Sequence, residues 1–242
     1  MKNIRIYQPG QFETGQSYQL DKAASNHLLK VLRLKHQQLF TLFNGEGGEF
    51  TASLEVSGKT AIAHIQTYSD INNTSALKIH LLQGISKGDR MDFAIQKSVE
   101  LGVSKITPVV CERTVVNLKG ERQDKKLQHW CSIATSACEQ SGLNILPQIE
   151  NISNLSQLIQ SDTSNFKLLL DPLSATSFHT VKPTGNNVVI LIGPEGGLSE
   201  SEINLATQHG FTGVRLGPRI LRTETAALTA ISAAQLLWGD LK

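Results

Sequence analysis

The hydrophobic period of the chain changes once, near residue 70, and that change sets what it can fold into. Between Ile4 and Tyr68 the apolar residues alternate in short runs: IRIYQ, QSYQL, QLFTLFN, GEFTASLEV and KTAIAHIQTY. Turn sequences such as NGEGG and VSGK separate them. Period-two alternation bounded by glycine-rich turns specifies half-buried strands. One helix interrupts them. Asp21 is its candidate N-cap, and HLLKVLRL brings Leu28, Val31 and Leu32 to helical spacing. Several short strands with one helix point to a small β-barrel. The polar run Ser69–Ser75 reads as a linker.

Beyond the linker, strands alternate with helices. LKIHLLQGI is a strand. KGDRMDFAIQKSVELG is a helix with Asp89 as candidate cap, Met91, Ile95 and Val99 along one face, and Gly102 at the C′ position; SKITPVV is the next strand. A β-α-β unit calls for a parallel sheet, so the fold class is α/β. A long helix is expected from about Glu121 to Gln140, with Leu127, Trp130, Cys131, Ala134, Ala137 and Cys138 as its apolar stripe. FKLLLDP and NVVILIG are further strands. Ser199 and Glu202 then form a capping box, and GVRLG is the last strand. The closing TETAALTAISAAQLLWG is apolar on nearly every side and is expected to be buried, in the chain's own core or against a second copy.

The 242 residues suffice for one large domain or two smaller ones. No run approaches the roughly 18 apolar residues of a membrane span, so no membrane partner is expected. MKNIRIYQPG lacks the apolar centre of a secretion signal, which points to the cytoplasm. Cys111, Cys131 and Cys138 are odd in number and form no C-x-x-C pair; they read as reduced thiols, the last two as small buried hydrophobes on one helix face. The seven histidines show no metal pattern, and no metal is expected. A net charge of +2 does not by itself call for a nucleic-acid partner. Local clusters say more: Arg5, Lys30, Arg33 and Lys35 early, then Lys87 and Arg90, are candidate RNA contacts or ordinary solvated charges.

Two late strands end in Gly-Pro, in ILIGPEGG and VRLGPRILRTETAA. In parallel sheets, ligands lie beyond the carboxyl ends of strands. Glycine admits close approach to backbone, and proline stiffens the loop. Neither a Gly-Lys-Ser/Thr clamp nor G-x-G-x-x-G is present, which disfavours a phosphate-binding nucleotide enzyme. One such turn is no more than a tight turn. Two of them, followed by the polar RTET at a helix start, favour a pocket that reads a purine through backbone groups.

LIGPEGGLSESEI followed by LGPRILRTETAALTAI resembles the closing signature of the ribosomal RNA small-subunit methyltransferase E family, SPOUT methyltransferases that make 3-methyluridine in 16S rRNA. HLLKVLRLK is similar to that family's RNA-binding element, KGDRMDFAIQKSVELGVSKITPVVCERTVV to its first β-α-β unit, and SACEQSG to the end of its central helix. The similarity runs over essentially the whole chain. It departs after EQSG, where Leu143 stands in place of the usual arginine, and at Ile145, a position that can be basic.

The resemblance implies a PUA-like β-barrel that binds RNA over residues 1–72 and a SPOUT α/β domain over 73–242, with a deep trefoil knot. The implied cofactor is S-adenosyl-L-methionine, which carries no phosphate and needs no lysine clamp. By resemblance it is held by Leu170, Ile192, Gly193, Pro194, Glu195, Gly196, Gly197, Leu216, Gly217, Ile220, Leu221, Arg222, Thr223, Thr225 and Ala226. The implied partners are 16S rRNA in the small (30S) subunit and a second copy of the chain. The final helix, with Ala226, Leu228, Ile231, Ala234, Leu236 and Leu237, fits either a dimer interface or a core helix.

The implied reaction is attack of uracil N3 on the sulfonium methyl. Arg222 is the candidate for stabilising the uracil anion; its alternative is a salt bridge to Glu224 or Glu195. Glu195 is read as orienting the cofactor or accepting a proton, or else as a turn residue. Glu224 is a catalytic candidate or a helix-dipole partner, and Thr223 and Thr225 are equally candidate caps. The general base is left unassigned. Competing readings are a related knotted methyltransferase acting on tRNA or another base, and a non-catalytic ribosome-assembly factor that binds RNA.

Overall fold

The alternating runs pair into a five-stranded sheet in the computed structural model, which describes residues 4–116, 118 and 120–242. Its elements are β1 (Arg5–Tyr7), β2 (Ser17–Gln19), α1 (Lys22–Asn26), β3 (Leu39–Phe43), β4 (Glu49–Ser57) and β5 (Thr60–Ser69), with strand order β1-β3-β4-β5-β2. β1 lies parallel to β3; the other ladders are antiparallel. The alternation points Phe50, Ala52 and Leu54 of β4, and Ala61, Ala63 and Ile65 of β5, into one core with Ile6, Leu28 and Leu42.

Asp21 caps α1, accepting from Ala24 N at 2.8 Å. The helix then widens into a π-turn over His27–Val31, closed by Leu32 N donating to His27 O at 2.9 Å. The wider turn breaks the 3.6-residue register. Leu28 stays buried, but Val31 is 69% and Leu32 37% exposed, so the expected shared apolar face does not form.

One compact unit comprises Met1–Thr74 and Cys138–Leu146; the other comprises Ser75–Ala137 and Pro147–Lys242. Within the first, Arg5 departs from its expected role as an RNA contact. Its side chain is 7% exposed, pairs with Glu49, donates to Asn144 Oδ1 and lies 5.0 Å over the Phe43 ring. A charge so desolvated persists only when paired, and here it ties the 138–146 segment to the sheet. Leu143 is buried at the same place, its carbonyl 3.5 Å from Arg5 Nη2.

The second unit is built from β6 (Lys78–Gly84), α2 (Asp89–Glu100), β7 (Lys105–Val110), α3 (Glu121–Ser141, its last turn in the first unit), β8 (Gln148–Ile149), β9 (Ser153–Asn154), α4 (Leu155–Ser161), β10 (Lys167–Leu170), β11 (Asn187–Ile192), α5 (Glu200–Gln208), β12 (Phe211–Val214) and α6 (Thr223–Trp238). All its ladders are parallel, in the order β12-β10-β11-β6-β7-β8, with β9 also on β7. β11 is apolar after Asn187 and β6 is buried from Leu81 to Gly84 because both faces of such a sheet are covered. The strand order reverses between β6 and β11, the position at which an open α/β sheet leaves a crevice.

Of the local expectations, the Asp89 cap and the burial of Cys131 are corrected, and the Gly102 closure is met. Gly88, at φ 62°, is the N-cap of α2, and Asp89 lies in the first turn, where its charge favours the helix dipole. At the other end Gly102, at φ 81°, donates to Val99 O and Val103 donates to Ser98 O, a Schellman closure. In α3, Trp130, Ala134, Ala137 and Cys138 are buried while Cys131 is exposed, because the covered stripe drifts off that face. Burial pushes the Cys111 and Cys138 thiols up to about 12. α6 is not enclosed by its own chain. Ala227, Ala230, Ile231, Ala234 and Gln235 are buried, yet Leu236 is 60% and Leu237 44% exposed. Gln235 anchors the helix, accepting from Ser75 Oγ at 2.9 Å and donating to Leu101 O at 3.1 Å. Among the described residues no helix is long and apolar enough to cross a membrane.

Candidate active site

β10, β11 and β12 are adjacent and parallel, so the turns that follow them emerge at one edge of the sheet. Those turns enclose a cavity of about 630 Å³. The second turn begins earlier than the sequence suggests, since β12 ends at Val214 and Arg215 already belongs to the loop. Of the expected cofactor residues, Leu170, Ile192, Gly193, Pro194, Glu195, Gly196, Gly197, Leu216, Gly217, Ile220, Leu221, Arg222, Thr223 and Ala226 line this cavity. Thr225 does not. It is exposed on the outer face of the first turn of α6.

Backbone proximity explains the glycines. A Cβ on Gly84, at the end of β6, would fall 2.6 Å from Gly193 C and overlap Pro194 N. A Cβ on Gly193 would lie 2.9 Å from Leu198 N, and one on Gly196 3.0 Å from Arg113 Cβ. Arg113 also donates to Gly196 O at 3.0 Å. Behind the turn, the capping box of Ser199 and Glu202 starts α5, and Glu202 Oε1 accepts from Glu112 N at 2.8 Å. Hydrogen bonds with Ser199 and Ser201 hold the Glu112 carboxyl below its ordinary range.

Thr223 joins the two turns. It is 7% exposed, and its Oγ1 donates to Gly193 O at 2.6 Å while accepting from Gln83 Nε2 at 2.9 Å. Its side chain is therefore not a cap; the N-cap of α6 is Arg222, which makes no side-chain capping bond. Thr225 is likewise no cap.

The charged residues are arranged differently from either sequence reading. Glu195 accepts from Lys87 N at 2.8 Å and from Arg90 Nη1 at 3.2 Å, so its ion-pair partner is Arg90 and not Arg222. Arg222 is exposed, and its side chain has no hydrogen bond or ion pair among the described residues. Glu224 Oε2 is buried without a hydrogen-bond partner among them. Of the expected RNA contacts, Lys30 and Arg33 are exposed on the first unit, Arg33 at φ 54°. Lys87 is exposed beside the glycine turn, and Arg90 lies in the cavity wall. Among the described residues no group of three or more His, Cys, Asp or Glu is placed to hold a metal.

Sequence reading missed Asp171, Pro172, Leu173, Arg215 and Arg219, all of which line the cavity. The signal was the Asp-Pro after FKLLL. Once β10 is placed between β11 and β12, its carboxyl end has to meet both Gly-Pro turns.

Comparison with known proteins agrees with this architecture. Residues 73–235 match an RNA methyltransferase domain, and residues 20–66 match an RNA methyltransferase PUA domain. The ribosomal RNA small subunit methyltransferase E of Buchnera aphidicola is 38% identical over 98% of this chain and 95% of its own length. That of Bacillus subtilis is 31% identical over 95% of each. A methyltransferase from Legionella pneumophila, solved with bound SAM, superposes with TM-score 0.97 at 44% identity over the whole of both chains. The ribosomal RNA small subunit methyltransferase E of Neisseria gonorrhoeae, solved with S-adenosyl methionine, superposes with TM-score 0.95 at 43% identity over 99% of this chain and 100% of that one. Family matches, the shared fold and the two-turn cavity lead to one assignment: the chain belongs to the ribosomal RNA small subunit methyltransferase E family.

Proposed function

We propose that the chain transfers the methyl group of S-adenosyl-L-methionine to N3 of a uridine in 16S rRNA of the small ribosomal subunit. The observation that carries this reading is the one cavity built by both Gly-Pro turns and tied across by Thr223. Its chemistry suits the cofactor. The turns present backbone amides and carbonyls at glycines where a Cβ would collide, and no lysine clamp is needed for a ligand without phosphate. Asp171, Glu195 and Glu224 put carboxylates in the wall that receives a cation.

When bound, the cofactor supplies an electrophilic methyl on a sulfonium. What the protein adds is alignment and exclusion of water. The turns 193–197 and 216–223 hold and orient the donor. Uracil N3 carries a proton and is a weak nucleophile until that proton leaves. Arg222, uncommitted among the described residues and in the wall, offers charged donors to the negative charge spreading onto O2 and O4. Glu224 lines the same wall and is the carboxylate assigned to receive the N3 proton. Glu195 acts at one remove, as a positioning residue held by Lys87 N and Arg90.

In this reading residues 1–72 form the PUA-like RNA-binding domain, with Lys30 and Arg33 on its surface, and residues 73–242 form the SPOUT domain with its trefoil knot. The protein acts in the cytoplasm as a homodimer, through the exposed Leu236 and Leu237 of α6. Extruding a stacked or paired uridine costs a few kcal/mol, which the RNA contacts must supply.

The test is methyl transfer from labelled cofactor to naked 16S rRNA and to 30S particles from a strain lacking the enzyme, followed by mass spectrometry of digested RNA. A 3-methyluridine product supports the reading. Methylation of another base, or of tRNA, replaces it. Calorimetry that detects no binding of S-adenosylmethionine selects the assembly-factor reading instead.

A further inference from the structure

The cavity wall carries four arginines, Arg90, Arg215, Arg219 and Arg222, against the carboxylates of Asp171, Glu195 and Glu224. The three carboxylates suit the donor's cationic centres and its single carboxylate can use at most one arginine, so four arginines exceed what the cofactor requires. The pairing sharpens the mismatch. Arg90 is committed to Glu195 at 3.2 Å, and Arg215 donates to Ser174 O at 3.3 Å. The side chains of Arg219 and Arg222 have neither hydrogen bond nor ion pair among the described residues. Arg222 is accounted for by the base; Arg219 is not.

Arg219 also sits on a distinctive piece of chain. Gly217, Pro218, Arg219 and Ile220 are all exposed, forming a lip on the cavity. Gly217 has φ 77°, a conformation that disfavours any other residue, and Pro218 restricts the next φ. The lip is thus a stiffened projection. Leu173 and Ile220, 93% and 86% exposed, line the same mouth as apolar surfaces that the sugar and flat face of an extruded nucleotide can cover. An always-charged guanidinium held at such a mouth without a protein partner is a site for an oxyanion.

We infer that Arg219, together with the exposed Arg215, grips the RNA phosphates flanking the target uridine, so that the α/β unit has an RNA contact of its own at the cavity lip. The inference rests on the RNA-methyltransferase reading above. It moves backbone recognition to the place where the reacting base must enter, and it fills the role that the buried Arg5 cannot.

The test uses the full chain, its R219A and R219K variants and the R215A/R219A double variant. Four quantities are read: KM and kcat with 30S particles, RNA affinity against salt, S-adenosylmethionine affinity by calorimetry, and oligomeric state by size exclusion. R219A should raise the RNA KM about tenfold, and because the 216–223 turn meets the donor through backbone that the substitution keeps, cofactor affinity should change far less than RNA affinity. The slope of log affinity against log salt should flatten by about 0.7–0.9 per arginine removed. R219K, which keeps the charge, should retain most of that slope. Unchanged RNA affinity and slope overturn the inference. So does weakened cofactor binding with intact RNA binding, which would place Arg219 on the cofactor carboxylate. A changed oligomeric state with intact RNA binding would assign the lip to a second copy and overturn it as well. If the wild type fails to methylate RNA, the functional reading fails; if it methylates and the variants match it, only this inference fails.

Discussion

Replacing Thr223 by valine keeps the shape of the side chain and removes the hydroxyl that joins the two Gly-Pro turns. Two bonds are lost, from Oγ1 to Gly193 O at 2.6 Å and from Gln83 Nε2 to Oγ1 at 2.9 Å. The consequences are unequal. Gln83 Nε2 keeps its second acceptor, Gly84 O at 3.1 Å, so that loss costs about 1 kcal/mol. The Gly193 carbonyl loses the side-chain donor that reaches it between the turns, and an acceptor left unsatisfied at this part-buried place costs about 1–3 kcal/mol. The total is about 2–4 kcal/mol, read as a lower urea midpoint at unchanged m-value. Because the bond spans the cavity, affinity for S-adenosylmethionine should fall with it, about tenfold or more by calorimetry. T223S restores the hydroxyl and should recover both properties. If T223V lies within about 0.5 kcal/mol of wild type and binds the cofactor as tightly, the two turns are not held together by this residue.

His80 gives an acid-dependent prediction. Burial first, then Lys105, lowers its pKa from 6.5 to about 4. The unfolded chain takes up this proton below pH 6.5 while the folded chain does so only near pH 4. Its stabilising contribution is therefore full above pH 6.5 and is lost as pH falls toward 4, by about 3 kcal/mol. H80Q should flatten that limb of a stability–pH curve; an unchanged limb would show that His80 is not its source. R5A should destabilise the first unit by about 3 kcal/mol by leaving Glu49 without its partner, with the salt dependence of RNA binding unaltered. A flattened salt slope without loss of stability would restore Arg5 as an RNA contact. G84A places a methyl against Gly193 and Pro194, so cofactor affinity should drop at least about tenfold, and wild-type affinity would show that this contact is not needed.

Features governed by neighbours in sequence were legible in the chain. The Asp21 cap, the Ser199–Glu202 capping box and the Gly102 closure each depend on residues within a turn of one another. The parallel sheet followed from its apolar runs, and both Gly-Pro turns from their composition. What was not legible depended on distant partners. Arg5 reads as surface charge until Glu49 and Asn144 are brought around it. Glu195 reads as a partner for Arg222 until α2 delivers Arg90. Thr223 reads as a cap because its acceptor lies 30 residues away, across a turn whose position only the strand order fixes. The π-turn at His27–Val31 leaves no local mark, since its sequence suits an ordinary helix equally well. The exposed leucines of α6 show a third kind of limit: an apolar helix declares that it must be covered and not by what.

The central claim is that both Gly-Pro turns serve one methyl donor. The direct measurement is a crystal structure of this chain grown with S-adenosylmethionine. The account predicts the donor inside the cavity, touching backbone of both the 193–197 and the 216–223 turns, with its methyl open toward Arg222 and Glu224. A donor bound at only one turn, or outside the cavity, would contradict it.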